Sequence, residues 1–243
     1  MSTAAAPDQR LLQIFTAGAP ASSIDEVIQR MQALNDVLGV DDGLKWFNLL
    51  YLKVTQEVKD HPPQNGWLDA PWITRLDVVF ANLYFKAVSD FIQGAPIASA
   101  WQALLEARNR QGVDRIQFAL AGMNAHINHD LSLALLEMDT EMHKGFGRAT
   151  PEHADYEHVN GLLAAVLPQA LQFLATDLLG ELAQDTSKIG RLLANWNVHV
   201  ARDLAWDFAE HIQTLPGVAR AFALDSQDQL TGAIGRGLLV PIQ

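Results

Sequence analysis

The chain has 243 residues, of which 49% are apolar, and a formal net charge of −11 at pH 7. This length can bury a substantial core, so we expect one domain over residues 1–243. The acidic balance, without a basic stripe, argues against binding to nucleic acid or to an anionic membrane surface. Because cysteine is absent, disulfides, thiolate catalysis and cysteine-based zinc sites are excluded.

The N-terminal segment and two apolar runs indicate where the protein resides. The first ten residues lack the charged start and apolar core of a secretory signal. The apolar runs at 116–136 and 161–179 contain His, Asp, Gln or Pro, which favours core helices over membrane spans. We therefore expect a cytoplasmic protein with no membrane span, and the sequence predicts no particular oligomeric state.

Capping and breaking residues divide the chain into predicted helices. The first runs from Ser22 or Ser23 to about Leu38, and the second begins at Asp41 or Asp42 and precedes a loop at 61–66. The third runs from about Pro71 to Gln93, and a shorter fourth helix ends near Arg108. The fifth helix runs from Val113 to Met138. The sixth runs from Thr150 to about Ala183, with a kink or break at Pro168, and the seventh from Thr186 or Ser187 to a point before Pro216. Residues 1–20 are expected to form an extension or a short helix, and residues 225–243 an irregular tail. With no strand signal and no repeat, the sequence predicts an all-α, single-domain, multi-helix bundle.

A polar cluster interrupts the apolar helix predicted at the centre of the chain. Its members are Asn124, His126, Asn128, His129 and Asp130. A helix that is apolar on nearly every side is normally buried, and buried polar side chains are costly unless partners or a ligand satisfy them. The cluster is therefore the predicted functional site.

The spacing within this cluster indicates its chemistry. His126 and Asp130 are four residues apart and share a helix face, and His129 lies close to both. An imidazole and a carboxylate one turn apart can bind zinc, iron or manganese, or can form an acid–base dyad in which the carboxylate orients the ring. His158 and Asp77 are the further candidate metal ligands.

Other polar residues on apolar helices are candidates for substrate binding. His199, Arg202 and Trp206 follow an i, i+3, i+7 spacing and share a face that could line a pocket. Arg202 is also a candidate catalytic residue, beside His126, His129 and Asp130. Arg75 is either an anion-binding residue or the counter-charge of a carboxylate. Asn124 and Asn128 would hydrogen-bond the substrate.

A second histidine-rich segment follows the central helix. His143 and His153 are expected to be solvated, because they lie near the start of a helix. His158 precedes an apolar run and is expected to be buried.

Two resemblances rest on these motifs. Residues 121–131 (AGMNAHINHDL), with Arg75-Leu-Asp-Val and Ala201-Arg-Asp-Leu-Ala-Trp206, resemble a bacterial family of uncharacterised all-α proteins, which implies the fold and no particular activity. His126-x-x-x-Asp130 followed by His153-x-x-x-Glu157 is similar to the ligand spacing of the zinc-dependent phospholipase C and P1-type nuclease superfamily. That second resemblance implies an all-α enzyme with a zinc cluster.

The leading hypothesis is a metal-dependent enzyme that hydrolyses an ester or phosphoester of a small molecule. The divalent metal would lower the pKa of a bound water and polarise a phosphoryl or carbonyl oxygen. The alternatives are a non-haem iron enzyme with oxidative chemistry, a metal-free His/Asp acid–base enzyme, a metal-free protein that binds a small molecule, and a cluster that only sets helix register. Nucleotide-binding and serine-hydrolase functions have no support, because no phosphate loop or nucleophile elbow is present.

Overall fold

The computed structural model describes residues 6–16, 20–176 and 197–241, and all regular structure in these ranges is helical. The predicted all-α, multi-helix class is therefore confirmed. The helices are α1 (Ala6–Thr16), α2 (Ile24–Val37), α3 (Gly43–Asp60), α4 (Ala70–Ile92), α5 (Ser99–Ala107), α6 (Arg115–Ala125), a π-helical turn (His126–Asp130), α7 (Leu131–Met142), α8 (Pro151–Thr176), α9 (Val198–Gln213) and α10 (Gly217–Leu238). No described helix has both the length and the apolar character that a bilayer span requires.

Side-chain caps set several helix starts, as the sequence indicates. The Ser23 side chain accepts a hydrogen bond from the Glu26 N–H at the start of α2. Asp42 caps α3 in the same way, through the Leu44 N–H. Such caps satisfy the unpaired N–H groups of a first helical turn, and they depend on local sequence alone.

Two predictions about helix ends differ from the structure. Helix α8 is continuous through Pro168, so of the two predicted alternatives, a kink or a break, the break is wrong. Leu163 and Leu167, just before the proline, are buried in the core, and such packing stabilises a helix beyond its local propensity. Residues 217–238 form the long helix α10, where the sequence suggested an irregular tail from 225 onward. The predicted end at Ala183 and the predicted start at Thr186 or Ser187 lie outside the described residues.

Helix α10 forms because it packs tightly on α5. A Cβ atom added to Gly232 would lie 2.6 Å from the carbonyl oxygen of Ser99, and one added to Gly235 would lie 2.9 Å from the Cβ of Ala103. These glycines let the two helix backbones approach closely. Because α10 has many exposed positions and only a short buried stripe, its sequence gives a weak amphipathic signal.

The segment formed by α6, the π-helical turn and α7 lies at the centre of the fold. Helices α3, α5 and α10 pack against α6, whereas α4 and α9 pack against α7. In the π-helical turn the N–H of Leu131 donates to the carbonyl oxygen of His126, five residues back. Such wider turns occur within α-helices and are frequent at functional sites. This turn carries four of the five residues in the predicted polar cluster.

Candidate functional site

The His126 imidazole is buried in an aromatic enclosure. Its ring stacks on Phe80 with the centroids 3.5 Å apart and an interplanar angle of 6°. Tyr51 and Phe47 meet the ring edge to face, with centroids 4.4 and 5.7 Å away. The side chain is 3% exposed. The ring is therefore fixed in position and shielded from bulk water.

Asp130 joins three hydrogen-bond donors from two parts of the chain. The indole N–H of Trp101 donates to both carboxylate oxygens, at 2.9 and 3.1 Å. Nδ1 of His126 lies 3.1 Å from Oδ2, and Nδ1 of His129 lies 2.8 Å from Oδ1. Asp130 is itself 2% exposed, so these donors take the place of water around a buried carboxylate.

The protonation states follow from these contacts. Burial favours a raised pKa for Asp130, but the hydrogen bonds and charges of His126 and His129 outweigh it and lower the pKa below its usual value. Burial lowers the pKa of His126 more than Asp130 raises it. Near pH 7, His126 is therefore neutral beside an ionised carboxylate. Its Nδ1 carries the proton and donates to Asp130, which leaves a lone pair on Nε2.

Nε2 of His126 is a buried nitrogen with no hydrogen-bond partner among the described residues. Buried polar atoms are paired in the great majority of cases, so such an exception points to a missing partner. Since Nδ1 is turned towards Asp130, Nε2 occupies the opposite side of the ring. His126 forms part of the wall of a cavity.

This cavity has a volume of about 70 Å³ and lies between α3, α4, α8, α9 and the central segment. One water needs about 10–15 Å³, so the cavity has room for several waters or a small ligand. Its wall is mostly aliphatic and aromatic. The exceptions with polar or ionisable groups are Tyr51, Thr55, Asp77, His126 and Arg202. An apolar cavity with a few convergent polar groups is the usual form of a small-molecule site.

Asp77 and Tyr51 are ionisable groups in the cavity wall whose pKa values are raised. Burial raises the pKa of Asp77 to about 7, although the Arg202 charge opposes the shift. Burial, together with the charges of Asp77 and Asp130, raises the pKa of Tyr51 well above its usual value. Near pH 7 the cavity therefore contains a neutral imidazole base, a phenol that keeps its proton, and a carboxyl group near its titration midpoint.

His129 connects the site to α5 and α10. Burial lowers the pKa of His129, but the hydrogen bond that its Nδ1 donates to Asp130 and the charges of Asp130 and Asp228 outweigh this effect, so the pKa is raised. Nε2 of His129 is 3.7 Å from Oδ1 of Asp228 on α10. The Asp228 carboxylate also accepts the N–H groups of Ser99 and Ala100, both at 2.9 Å, at the start of α5. His129 thus faces away from the cavity and links three elements.

The residues predicted as catalytic lie close together, but in different relations to the cavity. His126 and Arg202 line it, whereas Asp130 and His129 stand behind His126. Trp101, Tyr51, Phe80 and Thr55 complete the arrangement. Sequence reasoning did not select these four, because the three aromatic residues at helical spacing normally indicate core packing and Thr55 belongs to no motif.

The predicted substrate-binding residues have structural contacts. Asn124 donates to the carbonyl oxygen of Thr231 on α10 at 2.8 Å, and accepts from Asn128 at 3.0 Å. Asn124 therefore joins the central segment to α10, Asn128 supports Asn124 from within that segment, and neither residue lines the cavity. Arg75 forms a two-pronged ion pair with Glu141 at the surface, with distances of 2.9–3.1 Å.

The predicted pocket wall on α9 divides between core and cavity. The Trp206 ring packs among Trp72, Phe146, His153 and Tyr156, and its indole N–H donates to the Phe146 carbonyl at 3.3 Å. His199 lies at the start of α9, where its N–H is capped by Asn197. Arg202 is therefore the predicted α9 residue that reaches the cavity.

The four candidate metal ligands do not form a cluster. In the described ranges, no group of three or more His, Asp or Glu side chains is arranged to hold a metal ion. His158 is exposed and packs edge to face on Trp67, at 5.5 Å, so its predicted burial is wrong. The predicted solvation of His153 is also wrong, because this side chain is buried against Trp206. His143 is exposed, as expected. The helical phase of α8 turns His153 inward and His158 outward.

Comparison with known proteins identifies the family. The model of a family of unknown function, DUF5995, matches residues 24–241, and the chain belongs to this family. The predicted membership in an uncharacterised all-α family is confirmed at that level. No curated protein and no solved structure matches the chain.

Proposed function

We propose that this protein is an enzyme in which His126 acts as the general base on a small, largely apolar molecule bound in the cavity. The observation that carries the proposal is the buried, unpaired Nε2 of His126, on a ring whose Nδ1 is held by Asp130. A base fixed in an apolar cavity can remove a proton from a bound substrate, or from a water that attacks it. Asp130 is a positioning residue that fixes the tautomer and the orientation of the ring.

This proposal corresponds to the metal-free acid–base alternative. The metal-dependent hydrolase and the similarity to the phospholipase C and P1 nuclease superfamily stay predictions. His153 and Glu157, which carry that similarity, are near each other, with Nε2 and Oε1 3.9 Å apart. Since no described group of three ligands includes them or the His126–Asp130 pair, the metal-free reaction fits the geometry better.

The test measures the base with a reporter substrate. In 5-nitrobenzisoxazole a base removes the C3 proton, the N–O bond breaks, and a coloured 2-cyano-4-nitrophenolate forms. We expect turnover by the wild type, and a loss of about a hundredfold in His126→Gln, the scale at which general base catalysis contributes. Because only the neutral imidazole is a base, the rate should fall as the pH drops through a pKa below 6.5.

The controls separate the alternatives. His211→Gln changes an exposed histidine on α9 and should leave the rate unchanged. An unchanged rate in a folded His126→Gln variant would refute the proposal. A rate lost on treatment with EDTA and restored by zinc or manganese would support the metal-dependent hydrolase. Binding of the probe without turnover would indicate a small-molecule-binding protein.

A further inference from the structure

The Arg202 guanidinium is a buried cation whose described hydrogen-bond partners are neutral. Arg202 is buried, with 6% of its surface exposed. Nε donates to Oδ1 of Asn160 at 2.7 Å, and Nη2 donates to the carbonyl oxygen of Tyr156 at 2.9 Å. The guanidinium carbon also lies over the Tyr156 ring, 4.0 Å from its centroid. Within the ranges that the structure describes, no hydrogen bond involves Nη1, and no carboxylate lies within ion-pair distance of this arginine.

A buried cation of this kind calls for an anion. Burying a charge is costly unless a partner of opposite charge compensates for it. Arg202 lines the cavity, so a charge that has no ion-pair partner among the described residues lies where a ligand would bind. The guanidinium fork matches the geometry of a carboxylate, which accepts two parallel N–H bonds.

Asp77 is the acidic group that acts on Arg202 within the cavity. The other polar groups that line this space are Tyr51 and Thr55 of α3 and His126 of the π-helical turn, and all three are neutral near pH 7. Helix α8 contributes the apolar Val159, Leu163 and Leu167 to the wall. A second negative charge in this small space would repel ionised Asp77, so anion binding requires Asp77 in its neutral form.

We propose that the cavity binds a small apolar monocarboxylate, that Arg202 anchors its carboxylate group, and that Asp77 takes up a proton when the ligand binds. This inference rests on the proposed function, because the hydrocarbon part of the ligand occupies the space beside His126. It adds the substrate class: a short, branched or aromatic carboxylic acid in its ionised form.

The test compares carboxylates with their neutral amides by isothermal titration calorimetry. The probes are acetate, isovalerate and benzoate, each paired with the amide of the same shape. We expect at least one carboxylate of the series to bind about tenfold or more tightly than its amide at pH 6, where Asp77 is mostly protonated. Arg202→Gln should remove this preference and Arg202→Lys should retain part of it. Arg75→Gln, which alters a surface arginine outside the cavity, is the matched control.

The pH dependence tests the role of Asp77. Because its pKa is about 7, carboxylate affinity in the wild type should fall about tenfold per pH unit above that value. The carboxylate affinity of the Asp77→Asn variant should be nearly independent of pH. Because this variant leaves the Arg202 contacts intact, it tests the inference even if Arg202→Gln fails to fold. A wild-type affinity that does not change between pH 6 and 9 would overturn the inference.

The outcomes also separate this inference from the proposed function. Equal binding of amides and carboxylates, with the ¹⁵N resonance of His126 Nε2 perturbed by both, would overturn the anion site and leave the general-base proposal standing. Carboxylate binding that depends on Arg202 but leaves that resonance unchanged would support the anion site and count against His126 as the base. Failure of every probe to bind would overturn the anion site, and the general-base proposal would then be decided by the reporter rate of His126→Gln.

Discussion

Trp101→Phe removes the indole N–H that donates to both oxygens of Asp130. A hydrogen bond to a charged group contributes about 2 kcal/mol to stability. The phenyl ring keeps the edge contact with Phe47 but leaves a gap, which adds about 1 kcal/mol. We therefore expect the free energy of unfolding to fall by about 3 kcal/mol at pH 7.

The pH dependence of this loss separates the hydrogen bond from the gap. The folded-state pKa of Asp130 is lowered, so the ionised side chain stabilises the fold at pH values above its unfolded-state pKa of about 3.9. This stabilisation is lost as the pH falls through the folded-state pKa. Without the indole donor, the folded pKa rises. The difference between wild type and variant should therefore be constant above about pH 5 and should shrink below about pH 4.

Urea unfolding followed by far-UV circular dichroism measures the loss of unfolding free energy at each pH between pH 7 and pH 3. Trp67→Phe is the matched control, because Trp67 is half-buried, packs on His158 and lies outside the Asp130 contacts. A loss below about 1 kcal/mol for Trp101→Phe, or an equal loss at pH 7 and pH 3, would show that the indole does not stabilise an ionised Asp130.

Three further predictions test the surroundings of the site. His129 has a raised folded-state pKa, so its contribution to stability is complete below about pH 6.5 and is lost as the pH rises through the folded-state pKa. The loss of unfolding free energy in His129→Gln, measured by urea unfolding, should therefore shrink towards about pH 9, and a constant loss would contradict this. Gly232→Ala should lower the free energy of unfolding by about 1–3 kcal/mol through overpacking, and with it the thermal midpoint, because the added Cβ would lie 2.6 Å from the Ser99 carbonyl oxygen. Gly237→Ala has no neighbour within 4 Å and should raise the midpoint. Asp228→Ala removes the cap of α5 and should cost about 1 kcal/mol in urea unfolding, with hydrogen exchange accelerated at the start of that helix; unchanged exchange there would refute the cap.

Local sequence determined most of the helix starts and singled out the candidate site. Capping residues such as Ser23 and Asp42 act on N–H groups two or three positions away, so they mark helix starts without any tertiary information. The polar cluster from Asn124 to Asp130 stood out because its apolar flanks require burial. The i, i+4 spacing of His126 and Asp130 also predicted their contact, which the structure shows at 3.1 Å.

Tertiary structure decided what each residue of the cluster does. Trp101 reaches Asp130 from 29 residues away, and the resulting set of three donors makes this carboxylate a positioning group for the rings. Asp77 and Arg202 share a cavity wall because α4 and α9 pack around the same central segment, a relation that no local pattern encodes. Helix α10 likewise depends on the close approach of its glycines to α5. Spacing along the chain specifies helix faces, whereas contacts between distant helices depend on how those faces fit together in the core.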